Sequence, residues 1–277
     1  MKLVQLPSGE RVPALGMGTW NLGDDPAVRD EEIATLRLGL DLGLRLIDTA
    51  EMYGEGRAER LVGEAIAGRR DEAFLVSKVY PHNAGRRDAV TACEQSLRRL
   101  GTDRIDLYLL HWRGTVPLAE TLEAFLALQQ AGKIRHFGVS NLDLDDMREL
   151  WSLPGGDQVQ TDQVLYNLGR RGIEWDLLPW LRGLRIPVMA YSPIEQARLA
   201  RHPQLAAFAA RHGMTATQAA LAWLLAQEDV IAIPKTARPE RLRRNAVAAS
   251  RALSPEQLAE LDQLFPPPRG PSPLEML

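Results

Sequence analysis

Ile105-Asp106-Leu107-Tyr108-Leu109-Leu110-His111 is an apolar, strand-like run that ends on a polar side chain, and the same arrangement recurs along the chain. Upstream, Leu46-Ile47 leads to Asp48, and Phe74-Leu75-Val76-Ser77 leads to Lys78. Downstream, Phe137-Gly138-Val139 precedes Ser140-Asn141, Val159-Gln160-Thr161-Asp162 precedes Gln163, Val188-Met189-Ala190 precedes Tyr191, and Val230-Ile231-Ala232-Ile233 precedes Lys235. With Leu15-Gly16-Met17-Gly18 ahead of Thr19-Trp20, the count of runs reaches eight. Between them lie helical stripes at three-to-four residue spacing: Ile33, Leu36 and Leu40; Leu61, Val62, Ala65 and Ile66; Leu118, Leu122, Phe125 and Leu126; Met147, Leu150 and Trp151. The strands are continuously apolar rather than alternating, as in a parallel sheet covered on both faces. Eight such alternations predict an α/β fold, a closed (β/α)₈ TIM barrel.

The two ends of the chain carry separate signals. Lys2-Leu3-Val4-Gln5-Leu6 and Arg11-Val12-Pro13 flank the turn Pro7-Ser8-Gly9-Glu10, which predicts a β-hairpin capping one end of the barrel. Near the other terminus, Ser254-Pro255-Glu256-Gln257 combines an N-cap serine, a first-turn proline and a glutamine able to close a capping box. Leu258, Leu261 and Leu264 give that extra helix an apolar face, and the proline-rich tail from Phe265 to Pro273 is expected to cross a surface without regular structure. No linker divides the chain, so residues 1–277 are expected to form a single barrel domain.

Composition excludes several classes. With 277 residues and 45% hydrophobic content the chain can bury a large core. A net charge of -3 supplies no footprint for nucleic acid, and no basic amphipathic stretch points to a membrane. The opening Met1-Lys2-Leu3-Val4-Gln5 lacks a signal-peptide core, and the most apolar stretch, Ala219 to Ala226, is too short to span a bilayer. A cytoplasmic monomer without a metal is expected. The single cysteine, Cys93, shares an apolar helix face with Val90, Leu97 and Leu100 and reads as a core residue.

Polar groups at the carboxyl ends of parallel strands face ligands, so Asp48, Lys78 and His111, with Tyr53 just beyond Asp48, point to one reaction centre. Of the 33 basic residues only Lys2, Lys78, Lys133 and Lys235 are lysine, and two of these four end a strand. That choice suggests a need for a compact ammonium. Lys78 alone is readable as an ion-pair partner, a Schiff-base nucleophile or a charge that tunes a neighbour; the structural ion pair is the first reading for a lone lysine, and Asp48 and Tyr53 nearby favour the tuning role.

The stretch Gly43-Leu44-Arg45-Leu46-Ile47-Asp48-Thr49-Ala50-Glu51-Met52-Tyr53 resembles the active-site signature of the aldo-keto reductases. The resemblance extends through Gly16-Met17-Gly18-Thr19-Trp20, Leu109-Leu110-His111-Trp112, Gly138-Val139-Ser140-Asn141, Tyr191-Ser192-Pro193 and Ile233-Pro234-Lys235-Thr236. It implies a short-loop, bacterial-type aldehyde or ketone reductase in which Asp48, Tyr53, Lys78 and His111 are catalytic. The chemistry is consistent with that assignment. Hydride transfer to a carbonyl leaves an alkoxide that needs a proton, and a free tyrosine with a pKa of about 10 is a weak acid at neutrality. A neighbouring Lys78 ammonium favours tyrosinate, Asp48 holds that lysine, and a neutral His111 polarises the substrate oxygen.

The resemblance also implies NADPH as the cofactor. A Rossmann fingerprint is absent, because Gly16-Met17-Gly18 runs on to Asn21 where the third glycine belongs. Instead the family pattern assigns Gly18, Thr19, Trp20 and Ser192 to the cofactor cleft, Ser140, Asn141 and Gln163 to the carboxamide, and Tyr191 to stacking on the ring. Lys235, Thr236 and Arg241 match the 2′-phosphate site and Asn245 the adenine contact. Arg244 and the run Ile194-Glu195-Gln196 depart from that pattern, and Glu195 would repel a pyrophosphate unless it points away. Trp20, Tyr53, His111 and Trp112 are expected to line an open mouth for a small carbonyl substrate, since the loop after His111 and the tail are both short. Two other classes remain: a non-catalytic cofactor-binding regulatory barrel, and a Schiff-base aldolase using Lys78.

Overall fold

The computed structural model describes residues 1–277. A two-stranded antiparallel hairpin, β1 (Leu3–Gln5) and β2 (Arg11–Pro13), comes first. Strands and helices then alternate: β3 (Met17–Gly18), α1 (Arg29–Asp41), β4 (Leu46–Asp48), α2 (Arg57–Ala65), β5 (Phe74–Val79), α3 (Asp88–Leu100), β6 (Ile105–Leu110) and α4 (Leu118–Gln130). The series continues with β7 (Ile134–Ser140), α5 (Leu144–Ser152), β8 (Asp162–Leu165), α6 (Leu177–Gly183) and β9 (Val188–Tyr191). Two helices, α7 (Pro203–Arg211) and α8 (Ala216–Ala226), precede β10 (Val230–Ala232), and α9 (Pro239–Ala248) and α10 (Pro255–Leu264) follow it.

Strands β3 to β10 pair in sequence order, all parallel. The first and last also meet: Gly16 N donates to Ala232 O at 2.8 Å, Ala232 N to Ala14 O at 2.8 Å, and Gly18 N to Pro234 O at 3.1 Å. The sheet therefore closes as the (β/α)₈ barrel read from the sequence. Gly18 makes that seam possible, because a Cβ there would lie 2.8 Å from Ile233 O. One continuous cluster of 73 buried side chains joins the barrel interior to the helix layer.

The hairpin closes the amino-terminal end of the barrel. Val4, Leu6 and Val12 are buried there, Ser8 N donates to Gln160 Oε1 at 2.9 Å, and Lys2 Nζ donates to Leu225 O at 2.9 Å. Glu10 pairs with Arg135 and His136 at the start of β7. At the far end of the chain, the expected capping box forms: Ser254 Oγ accepts from Gln257 N, and Gln257 Oε1 accepts from Ser254 N.

Several strand boundaries differ from the sequence reading: β5 continues past Lys78 to Val79, β7 takes in Ser140 and β9 takes in Tyr191. The regular part of β8 is Asp162–Leu165, so Gln163 lies inside the strand rather than after it. Gln160 N and Thr161 O do bond to β7, through Phe137 O and Val139 N, but pairing with β9 starts only at Asp162↔Val188. Pro187, just before β9, has no amide proton to extend that ladder. Cys93 is a buried core residue, and burial pushes its thiol up to about 12. No helix is long and apolar enough to cross a membrane.

Candidate active site

Three successive βα units deliver one cluster at the carboxyl end of the barrel. Asp48 is the last residue of β4, Lys78 is the penultimate residue of β5, and His111 follows β6 directly. Tyr53 arrives from the loop after β4, in a tight turn where its amide donates to Ala50 O at 3.1 Å. Lys78 is completely buried. Its ammonium spends all three donors: on the Asp48 carboxylate at 2.8 Å, on Thr49 O at 2.9 Å and on the Tyr53 hydroxyl at 3.1 Å. Asp48 receives a further donor, Gln163 Nε2, at 2.8 Å. The His111 ring meets the Tyr53 ring edge-on with centroids 5.8 Å apart.

The electrostatics divide these groups. Burial works against the charge of Lys78, but Asp48 and Tyr53 outweigh it and hold the ammonium above the ordinary lysine value. Burial pushes Tyr53 up, and the Lys78 charge opposes that shift without cancelling it. The lysine therefore limits how weak the partly buried phenol becomes, rather than making it a stronger acid than free tyrosine. Burial, aided by Lys78, drives His111 down to about 2, so the imidazole is neutral near pH 7. Its Nδ1 is buried without a partner. An orphaned N–H there is costlier than a bare nitrogen, which places the proton on Nε2.

Beside this cluster stand the residues that the sequence associated with the carboxamide. Asn141 Nδ2 donates to His111 O and to Ser140 Oγ, both at 3.1 Å, and Ser140 Oγ donates to Gln163 O at 2.7 Å. The Tyr191 hydroxyl donates to Asn141 Oδ1 at 3.0 Å. Asn141 holds a left-handed φ of 57°, which asparagine tolerates, and this turns its amide back toward His111. The helix cap that follows is Asp143, which accepts from the Asp145 and Asp146 amides, so Ser140 and Asn141 are left out of capping.

At the barrel seam, Thr19 Oγ1 donates to Asp48 O at 2.9 Å, Gly18 sits against Lys235, and Trp20 is 46% exposed. Lys235 and Arg241 are exposed at the entrance to α9, Asn245 is buried on that helix, and Thr236 Oγ1 accepts from Arg238 N. The α9 amino terminus has Pro239 in its first turn and no side-chain cap, which suits a phosphate held by amides and two cations. These donors and the amide cluster around Asn141 and Gln163 fit a phosphorylated nicotinamide dinucleotide.

Several residues at the mouth escaped the sequence reading. Tyr80, two positions beyond Lys78, meets Trp112 edge-on at 5.9 Å and stacks on His82 at 4.7 Å. Glu51 fixes it, accepting Tyr80 N at 2.7 Å. The signal was available, since Tyr80 also follows a strand end, but a lone aromatic in a loop carries no role by itself. Arg113, adjacent to Trp112, is tied to Asp146 and Glu149. Glu195 turns away from the cleft mouth, buried against Asn167 Nδ2 at 3.0 Å and Arg170 Nε at 2.9 Å. The irregular tail does not stop at a remote surface: Leu277 N reaches the Tyr191 hydroxyl at 3.4 Å.

Comparison with known proteins agrees with this geometry. Residues 14–265 match the model of the aldo/keto reductase family. The chain is 51% identical to methylglyoxal reductase YeaE of Escherichia coli (strain K12), over 100% of this chain and 99% of that protein. It superposes on the crystal structure of an aldo/keto reductase from Klebsiella pneumoniae in complex with NADP and acetate, with a TM-score of 0.97 and 50% identity, covering 100% of this chain and 99% of the other. A second Klebsiella pneumoniae aldo-keto reductase structure, in complex with NADPH, gives the same TM-score of 0.97, identity of 50% and coverage of 100% and 99%. The chain belongs to the aldo/keto reductase family.

Proposed function

We propose that the protein reduces small aldehydes and ketones to alcohols with NADPH, and that methylglyoxal is a good first substrate to try, given the relative named for it. The observation that carries this reading is the buried Lys78 ammonium bridging the Asp48 carboxylate and the Tyr53 hydroxyl beside a neutral His111. When bound, NADPH supplies the hydride. His111 Nε2–H orients and polarises the carbonyl oxygen, and Tyr53 gives its proton to the oxygen as negative charge develops there. Lys78 stabilises the tyrosinate left behind, while Asp48 keeps the lysine charged and in place. Ser140, Asn141 and Gln163 hold the carboxamide, Tyr191 stacks on the ring, and Gly18, Thr19, Trp20 and Ser192 border the cleft. Lys235, Thr236 and Arg241 take the 2′-phosphate, and Asn245 the adenine.

A Schiff-base aldolase is disfavoured by the same geometry. An amine nucleophile must be neutral, whereas Lys78 is held charged and its three donors are committed. Tyr80 and Trp112 meet edge-on to give an aromatic rim suited to small carbonyls, to which we assign the exposed Trp20 as well, and the tied Arg113 offers no free cation to a substrate carboxylate. We take residues 1–277 to act as one catalytic unit, a monomer in the cytoplasm.

The test is a panel of aldehydes and ketones with NADPH or NADH, read by loss of nicotinamide absorbance, on the wild-type protein and Tyr53→Phe. Turnover should be seen with NADPH and fall by about 10²–10⁴ in the variant, with NADPH affinity close to unchanged. No turnover on any carbonyl would overturn the reductase reading, and near-normal turnover in Tyr53→Phe would exclude that residue as the proton donor.

A further inference from the structure

A short turn after β8 reaches across to the segment that leaves β9. Asn167 and Arg170 exchange main-chain hydrogen bonds, and Gly169 N donates to Asn167 Oδ1 at 2.9 Å. From this turn, Asn167 Nδ2 donates to Ser192 O at 2.9 Å and to Glu195 Oε2 at 3.0 Å, while Arg170 Nε donates to Glu195 Oε1 at 2.9 Å. The segment they hold has an uncommon backbone: Ser192, Glu195, Gln196 and Ala197 have φ of 47°, 50°, 50° and 70°. Residues with side chains avoid this left-handed region, and a run of them persists only where surrounding contacts over-determine it. The Glu195 carboxylate, 6% exposed, is the anchor on which those contacts converge.

The other end of the Arg170 guanidinium is engaged elsewhere. Its Nη1 donates to Glu275 Oε1 in the tail, and two residues further on Leu277 N meets the Tyr191 hydroxyl. One side chain thus spans two segments that both end at Tyr191: the loop continues from it along the chain, and the tail touches its hydroxyl. A ring stacked on Tyr191 has both segments as neighbours.

We propose that Arg170 is a positioning residue that couples the loop of residues 192–197 to the tail of residues 270–277, so that the two open together and set the rate at which NADPH leaves. This rests on the reading that NADPH binds against Tyr191. The guanidinium acts as a two-ended tie, Nε on the loop and Nη1 on the tail, and a lysine in its place has a single nitrogen to serve both carboxylates.

The coupling is read first without cofactor, by amide hydrogen exchange of the full chain as wild type, Arg170→Lys, Glu275→Gln and the double variant. Glu275→Gln should speed exchange in residues 192–197 as well as in the tail, and should add nothing in that loop once Arg170 is replaced. NADPH dissociation, followed by stopped-flow fluorescence, should quicken about two- to fivefold in Glu275→Gln, as for loss of a partly exposed ion pair, and more in Arg170→Lys. Single-turnover reduction at saturating NADPH should be unchanged, which separates a release effect from general damage to the site. Faster exchange confined to the tail in Glu275→Gln, or unaltered NADPH release in both variants, would overturn the coupling. Failure of the wild-type protein to bind NADPH would instead overturn the proposed function, while the exchange experiment still decides whether loop and tail move together.

Discussion

Gln163 Nε2 donates to Asp48 Oδ1 at 2.8 Å, which ties the amide proposed to hold the carboxamide to the carboxylate that holds Lys78. On the proposed reading, cofactor binding and proton donation share the Gln163 side chain. Gln163→Ala should weaken NADPH and also lower the rate of hydride transfer at saturation, because Asp48 loses a donor. A hydrogen bond to the neutral carboxamide contributes about 0.5–1.5 kcal/mol, so the affinity loss should be roughly two- to tenfold. Titration by fluorescence and single-turnover kinetics measure the two effects, and a change in affinity with an unaltered rate would show that Asp48 does not need this donor.

Charge and geometry can be separated at Lys78. Its ammonium fits between Asp48 and Tyr53 with 2.8 and 3.1 Å contacts and no exposed surface. Arginine keeps the charge but is longer, planar and forked. Lys78→Arg should lose most turnover, almost as Lys78→Met does, since displacing a reacting group by about an ångström costs roughly a hundredfold. Turnover on one aldehyde, after NADPH binding is verified, gives the answer, and full activity in Lys78→Arg would mean that charge alone suffices.

Arg241 is exposed at the start of α9, without a carboxylate partner, beside Lys235. Arg241→Ala should weaken NADPH about ten- to hundredfold and leave NADH nearly unaffected, because only NADPH carries the 2′-phosphate. Equal losses for both cofactors would show that Arg241 does not read that group.

Asp162 presents a pH-dependent cost. It is fully buried at the start of β8, neither oxygen meets a donor in good hydrogen-bond geometry, and burial pushes its carboxyl well above the usual carboxylate range, a shift that the nearby but poorly aligned Leu142 amide only partly opposes. The folded protein holds this proton to higher pH than the unfolded chain, which releases it above an ordinary value of about 3.9. Stability must therefore fall as pH rises from that value toward the folded one. Asp162→Asn should stabilise the protein at pH 7 by about 1–3 kcal/mol, or roughly 2–4 °C in Tm per kcal/mol, with the gain shrinking toward pH 4. Melting curves across that range test it; an unchanged or lowered Tm at pH 7 would show that the carboxyl has a stabilising partner.

The barrel and the Asp48, Tyr53, Lys78 and His111 cluster were legible because each depends on local pattern: a continuous apolar run, then a polar side chain at its end. What was illegible depends on side chains meeting from distant strands. Nothing in the spacing of Asp48 and Gln163 discloses their bond, since only barrel closure brings β8 opposite β4. The direction of the Tyr53 shift was misread for a related reason: a neighbouring ammonium is visible in sequence, but the extent of burial that outweighs it is a property of the packed fold. Glu195 was recognised as a misfit, and its resolution required Arg170, twenty-five positions away in the chain. The tail was expected on a surface because prolines exclude regular structure, and that exclusion says nothing about which surface.

The hairpin of β1 and β2, with Val4, Leu6 and Val12 pressed into the amino-terminal end, leaves the barrel with a single door. Lys78 has no exposed surface of its own while Tyr53 is only partly covered, so under the proposed mechanism the phenol takes up its next proton from the mouth that the substrate uses. Under that reading, traffic of reactant, product and proton is sequential rather than parallel. A molecule resting at the aromatic rim after reaction delays not only its own departure but also the recharging of the tyrosine for the next cycle.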